Sequence, residues 1–198
     1  MPSSPRLVPM LLAGWTVLAL AVVFGGVLER VFPPVLAFGL TALALLAVAF
    51  VPALRAWTRA VPLRVLVLYH TVRFVGLALL VMAAQGALPA VWAVPAVWAV
   101  PAGWGDLAVA VTAVLVAVFA LPVTSRGRWW AVLAWNTFGL LDILLVLGSA
   151  VRLVGIDPTL LRALTHFPLG LLPVLIVPLI LVSQVLIYGR LARERPAR

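Results

Sequence analysis

Two ionisable side chains stand where water is scarce. Arg73 and Asp142 each lie inside an apolar run long enough to cross a bilayer. Such groups cost about 2.5–3.5 kcal/mol each on the insertion scale, and need partners. Opposite charges at matching depth are the natural partners. Arg73 lies about nine residues past the inner end of its run, so about 13 Å deep at about 1.5 Å per residue. Asp142 lies about twelve residues past the inner end of its own, so about 18 Å deep. A guanidinium reaches several ångströms along its stem. The spacing therefore predicts an Arg73–Asp142 ion pair near mid-membrane.

Other polar residues join this layer. His70 and Asn136 are expected one level inward, about 10 Å deep by the same count. Gln184 falls at this depth on the last apolar run. His70, Arg73 and Gly76 recur every three residues and form one helical stripe. Gly139 shares the face of Asp142, and small residues on both stripes let helices approach closely. Asp106 follows Gly103-Trp104-Gly105 at the expected outer end of the fourth span. An aspartate there caps the first free amides of a helix, or contacts an ion or substrate. Asp106, Gly105 and Trp104 thus make a candidate outer-end site. Each feature also has a plain structural reading. The ion pair can be a clamp between helices, and His70 a hydrogen-bonded residue between spans.

The elements that must carry these residues follow from composition. The chain has 198 residues, of which 66% are hydrophobic and only 10% charged. Six spans of about 20–22 residues need about 120–130 apolar positions, and the chain supplies them. A soluble domain of this size has too little interior for that much apolar surface. Cysteine and lysine are both absent, which excludes disulfides, thiolate-bound metals and lysine Schiff bases. Disordered chains are poor in hydrophobic residues, so disorder is excluded as well.

The expected fold is an all-α, single-domain polytopic membrane protein with spans at about 7–28, 35–54, 65–87, 106–122, 130–151 and 168–188. The first run is longer than the usual core of a signal peptide, so an uncleaved first span is expected, with a cleaved signal as the minor alternative. Between the third and fourth spans lies a proline- and tryptophan-rich outer loop. Its sequence VWAVPA occurs twice, at 91–96 and 97–102. With a proline every six residues the segment is expected not to form a regular helix at all, and Trp92, Trp98 and Trp104 suit the headgroup layer or a re-entrant loop.

Arginine counting sets orientation. With a cytoplasmic N-terminus, ten arginines face inward: Arg6, Arg55, Arg59, Arg64, Arg126, Arg128, Arg190, Arg193, Arg195 and Arg198. Only Arg30, Arg152 and Arg162 face outward. This bias predicts both termini in the cytoplasm. The net charge of +9 is explained by headgroups and membrane potential, so nucleic acid is not an expected partner. The expected partner is the bilayer, with other membrane proteins or a second copy of the chain as further candidates. The Ala-, Val-, Leu- and Arg-rich composition suggests a bacterial cytoplasmic membrane.

Several short patterns together resemble a group of uncharacterised bacterial multi-pass membrane proteins. They are Arg73, Gly76, Gly86 and Pro89; Pro101-Ala102-Gly103-Trp104-Gly105-Asp106; Asn136, Gly139 and Asp142; and Phe167-Pro168-Leu169, Pro173 and Val177-Pro178. The resemblance covers roughly residues 65 to 185. It implies a shared fold and a shared polar centre, and no activity. In that group a histidine often stands near the end of the last span, where this chain has Gln184.

The sequence leaves a small transporter-like protein and a non-enzymatic scaffold or accessory subunit as the main readings. A minor one is an intramembrane aspartyl protease, because Gly103-Trp104-Gly105-Asp106 resembles the GxGD motif. Against it, the GxGD aspartate of that family is the second of its pair, and here it is the first. No Tyr-Asp pair occurs, and Pro52-Ala53-Leu54 precedes both aspartates. Haem held by His70 and His166 is disfavoured, because the topology puts them on opposite sides of the membrane. No metal or cofactor is expected.

Overall fold

A computed structural model describes residues 7–88 and 98–195. The described residues are mostly helical, with no strand among them. Among the described residues, five helices are long and apolar enough to cross a membrane: Pro33–Phe50, Leu63–Ala84, Ala99–Ala120, Arg126–Ile156 and Leu172–Arg193. In chain order the elements are α1 (Leu7–Phe24), α2 (Pro33–Phe50), α3 (Pro52–Ala60), α4 (Leu63–Ala84), α5 (Ala99–Ala120), α6 (Arg126–Ile156) and α7 (Leu172–Arg193).

Prolines and glycines set the boundaries. Pro33 and Pro34 open α2, where a missing N–H leaves nothing unpaired. Val51 turns extended before Pro52, which ends α2 and starts α3. α3 is short and amphipathic, carrying Arg55, Trp57 and Arg59. Gly86, at φ 68°, closes the turn after α4 in the left-handed region that favours glycine. At the N-terminus of the 3-10 segment Pro158–Thr165, Asp157 accepts from the Thr159 amide at 2.9 Å and its hydroxyl at 2.8 Å. These bonds hold the Asp157 carboxyl below the ordinary carboxylate range.

The chain forms two compact units. One comprises Met1–Val61 and Asp157–Val182. Its core gathers Ala19, Val23, Leu28 and Val174, with Trp15, Leu36, Leu40 and Leu171 against them. Pro178 has no N–H to offer the carbonyl of Val174 one turn earlier. The Trp15 indole supplies the missing donor, Nε1 to Val174 O at 2.8 Å. The adjacent stretch Leu172–Ile176 winds as a π-turn. A span proline is thus accommodated because a neighbouring side chain satisfies the carbonyl it frees. Trp15→Phe should lower stability by about 1–3 kcal/mol, the range for a buried polar group left unpaired, measured by unfolding in detergent. In the same unit His166 Nε2 stands 3.3 Å from Glu29, both well exposed.

The other unit comprises Pro62–Ile156 and Ser183–Arg198. Here α5 packs along α4 and against α6, and the final turns of α7 complete the set. α6 buries Val132, Asn136, Gly139, Ile143 and Leu147 at helical spacing. Indole donors fasten the helices: Trp98 to Val146 O at 3.0 Å, Trp129 to Leu191 O at 2.8 Å, and Trp135 to Thr112 Oγ1 at 3.1 Å.

Two sequence expectations are corrected here. The fourth helix begins at Ala99, not near Asp106. Pro101 sits in its first turn, where the backbone N–H has no intrahelical acceptor in any case. The second half of the VWAVPA repeat is therefore largely helix, and residues 89–97 of the expected outer loop lie outside the described residues. Trp98 is buried at 4% exposure and donates its indole N–H to the Val146 carbonyl.

Candidate functional site

The second unit carries the polar centre. Midway along α4 the residues His70–Phe74 form a 3-10 segment. With three residues per turn, side chains three apart eclipse, so His70 and Arg73 project in one line. Arg73 is completely buried. In a dry interior each of its N–H groups needs an acceptor, and all three nitrogens have one. Nε donates to Asp106 Oδ1 at 2.6 Å, Nη1 donates to the Gly139 carbonyl at 2.9 Å, and Nη2 donates to Asp142 Oδ2. The guanidinium so joins α4 to α5 and α6. Asp106 is 7% exposed, and the Asp142 side chain 15%.

Glycines make this approach short. A Cβ on Gly76 would stand 2.7 Å from the Gly103 carbonyl oxygen, and one on Gly103 would stand 2.8 Å from the Gly76 oxygen. The backbones of α4 and α5 therefore touch. A Cβ on Gly105 would occupy the space of the Asp142 carboxylate. One on Gly139 would stand 3.1 Å from Gln184 Nε2 and 3.5 Å from Arg73 Nη1.

A neutral layer adjoins the charges. His70, Asn136 and Gln184 are each at most 1% exposed. His70 Nε2 shares a hydrogen bond with Ser183 Oγ at 3.0 Å, and the His70 ring meets Trp135 edge to face at 5.1 Å. Asn136 Nδ2 donates to the Gln184 carbonyl at 3.2 Å.

These residues all lie within residues 31–192, which match a family model described as Domain of unknown function (DUF8737). The chain belongs to this family. The match begins just before α2 and ends at the close of α7, so α1 lies outside it. No curated protein and no solved structure matches this DUF8737 chain.

Of the residues singled out from the sequence, the structure of the DUF8737 chain brings together Arg73, Asp142, His70, Asn136 and Gln184, and adds Asp106 to them. It does not assemble an outer-end site. Asp106 lies two turns inside α5, so it caps no helix, and it faces Arg73. Trp104 points away from the centre at 60% exposure. Gly105 serves as the clearance for Asp142. Sequence reasoning missed the second carboxylate on Arg73 because Pro101 was read as a helix breaker. Pro101 stands in the first turn of the helix, where proline is tolerated, but the continuous apolar stretch before it carries no sign of that start. Among the described residues no three of His, Asp and Glu are grouped as metal ligands. Chemically, the centre is a guanidinium acting as shared donor to two carboxylates, beside amides with hydrogen-bonding capacity to spare.

Proposed function

We propose that the chain is a small transporter-like protein of the bacterial cytoplasmic membrane. It has six spans, counting α1, with both termini in the cytoplasm, and the Arg73–Asp106–Asp142 centre is its working element. The arginine bias between alternate loops supports the orientation. The observation that carries the functional reading is a charge imbalance. One buried guanidinium faces two carboxylates, so the ionised centre has one negative charge left over. An uncompensated charge at membrane depth is expensive. A proton or a small cation completes the balance, whereas an anion would worsen it and finds every nitrogen of Arg73 already engaged. The broken helical geometry nearby, with a 3-10 segment in α4 and a π-turn at Val116–Ala120 in α5, fits a site that rearranges.

The test is charge displacement in proteoliposomes on a solid-supported membrane, with jumps of pH, Na⁺ or K⁺. The wild-type protein should give a transient current on at least one jump, and Asp142→Asn should lose it while remaining inserted. Silence of correctly inserted wild-type protein in every jump would leave a structural clamp within a scaffold subunit, and the transporter reading would fall.

A further inference from the structure

The pairing around Arg73 leaves a set of buried polar atoms unused. Among the described residues, His70 Nδ1, Asn136 Oδ1, and both Oε1 and Nε2 of Gln184 have no hydrogen-bond partner. Leaving even one such atom bare in an apolar interior is costly. Here four belong to three side chains on α4, α6 and α7 that are tied to one another through the α7 segment Ser183-Gln184. Asn136 holds the Gln184 carbonyl, and His70 bonds Ser183, the residue before Gln184. Gln184 Nε2 and Arg73 Nη1 also flank the same bare face of Gly139.

The chemistry of the unused atoms describes an occupant. Asn136 Oδ1 and Gln184 Oε1 only accept, Gln184 Nε2 only donates, and His70 Nδ1 does either according to its tautomer. An occupant that satisfies these atoms must donate at least twice and accept at least once. Water does so, and buried waters typically make about three such bonds. We propose that His70, Asn136 and Gln184 bind a small water cluster, and that this cluster delivers protons to Asp106 and Asp142.

This rests on the transporter reading and deepens it by naming the proton as the ion handled. In the transfer step a hydronium of the cluster gives its proton to a carboxylate oxygen, an O–H bond forms there, and water remains. The reverse step returns the proton to the cluster. Arg73 keeps its protons throughout. The ionisable and polar groups facing the route are Tyr69, His70 and Arg73 on α4, Asp106 on α5, Asn136 and Asp142 on α6, and Ser183 and Gln184 on α7.

The test combines two readouts on the full chain in lipid. Infrared difference spectra across a pH step, in ordinary and oxygen-18 water, report bound water. Charge displacement after a pH jump reports proton delivery. Wild-type protein should show water bands that shift with oxygen-18. Gln184→Leu should lose them and slow the displacement roughly tenfold or more while keeping its amplitude, because the carboxylates remain. If Gln184→Leu and Asn136→Leu both move charge at the wild-type rate while Asp142→Asn moves none, the water route is overturned and the transporter reading stands. If wild-type protein has the bands and moves no charge on a pH jump, proton delivery falls, and the transporter reading falls with it only when Na⁺ and K⁺ jumps are silent as well. If the variants fail to insert, the wild-type spectra alone decide, and absence of an oxygen-18-sensitive band overturns the proposal.

Discussion

Arg73→Ala is expected to remove a large share of the stability of the second unit. The side chain is fully buried and serves three acceptors on two neighbouring helices. Truncation leaves two carboxylates and a carbonyl without their donor in an apolar setting. Breaking a buried ion pair by removing one partner typically costs about 3–5 kcal/mol. A domain's whole stability is about 5–15 kcal/mol, so this loss is large. Removing the charges together should behave differently. Arg73→Gln combined with Asp106→Asn and Asp142→Asn leaves hydrogen-bonding groups of similar size and no uncompensated charge. That variant should recover to within about 1–2 kcal/mol of wild type, since buried charge clusters contribute little net stability. Denaturant unfolding in mixed micelles, followed by tryptophan fluorescence, compares the two. Equal destabilisation by the single and the triple substitution would show that packing volume, and not charge balance, governs the centre.

The second large effect is steric. Gly76→Ala places a methyl group 2.7 Å from the Gly103 carbonyl oxygen, an atom of the α5 backbone that no side-chain rotation can move. Overpacking of this kind costs about 1–3 kcal/mol, and a backbone obstacle puts Gly76→Ala at the upper end. Gly105→Ala acts on the site itself. Its methyl group takes the place of the Asp142 carboxylate, so Asp142 must leave Arg73 or α5 must shift away from α6. Both variants should unfold earlier than wild type, and Gly105→Ala should also lose charge displacement at temperatures where it remains folded. Gly148→Ala is the control. Nothing stands within 4 Å of a Cβ there, so it should be neutral or stabilising by about 0.5–1 kcal/mol. A Gly105→Ala protein with wild-type stability and current would refute the close-approach argument.

The parts of this centre were unequally legible. Depth counting along two apolar runs brings Arg73 and Asp142 to neighbouring levels because a helix rises by a constant amount per residue, and the structure pairs them. The three-residue spacing of His70, Arg73 and Gly76 told which residues share a face. It did not tell that the backbone tightens to 3-10 at His70–Phe74, since i,i+3 spacing fits both windings. Asp106 was misplaced by one boundary. Taking the proline-rich stretch as loop up to Gly103 moved the start of α5 and left Asp106 at its end, whereas the helix runs from Ala99. Gly103 and Gly105 read as part of a motif, while their physical role is clearance for a facing backbone and a facing carboxylate. The Trp15 bond to the carbonyl that Pro178 frees joins residues 159 positions apart, and no local pattern carries such a contact.

The account stands on the charges of Arg73, Asp106 and Asp142 being used and not merely tolerated. The most direct measurement is the charge displaced by jumps of pH, Na⁺ and K⁺ in proteoliposomes of wild-type protein and of the neutral triple variant, prepared side by side in the same lipid. The account predicts a transient current from the wild type and none from the folded triple variant. Equal currents from the two proteins, or none from either, would contradict it.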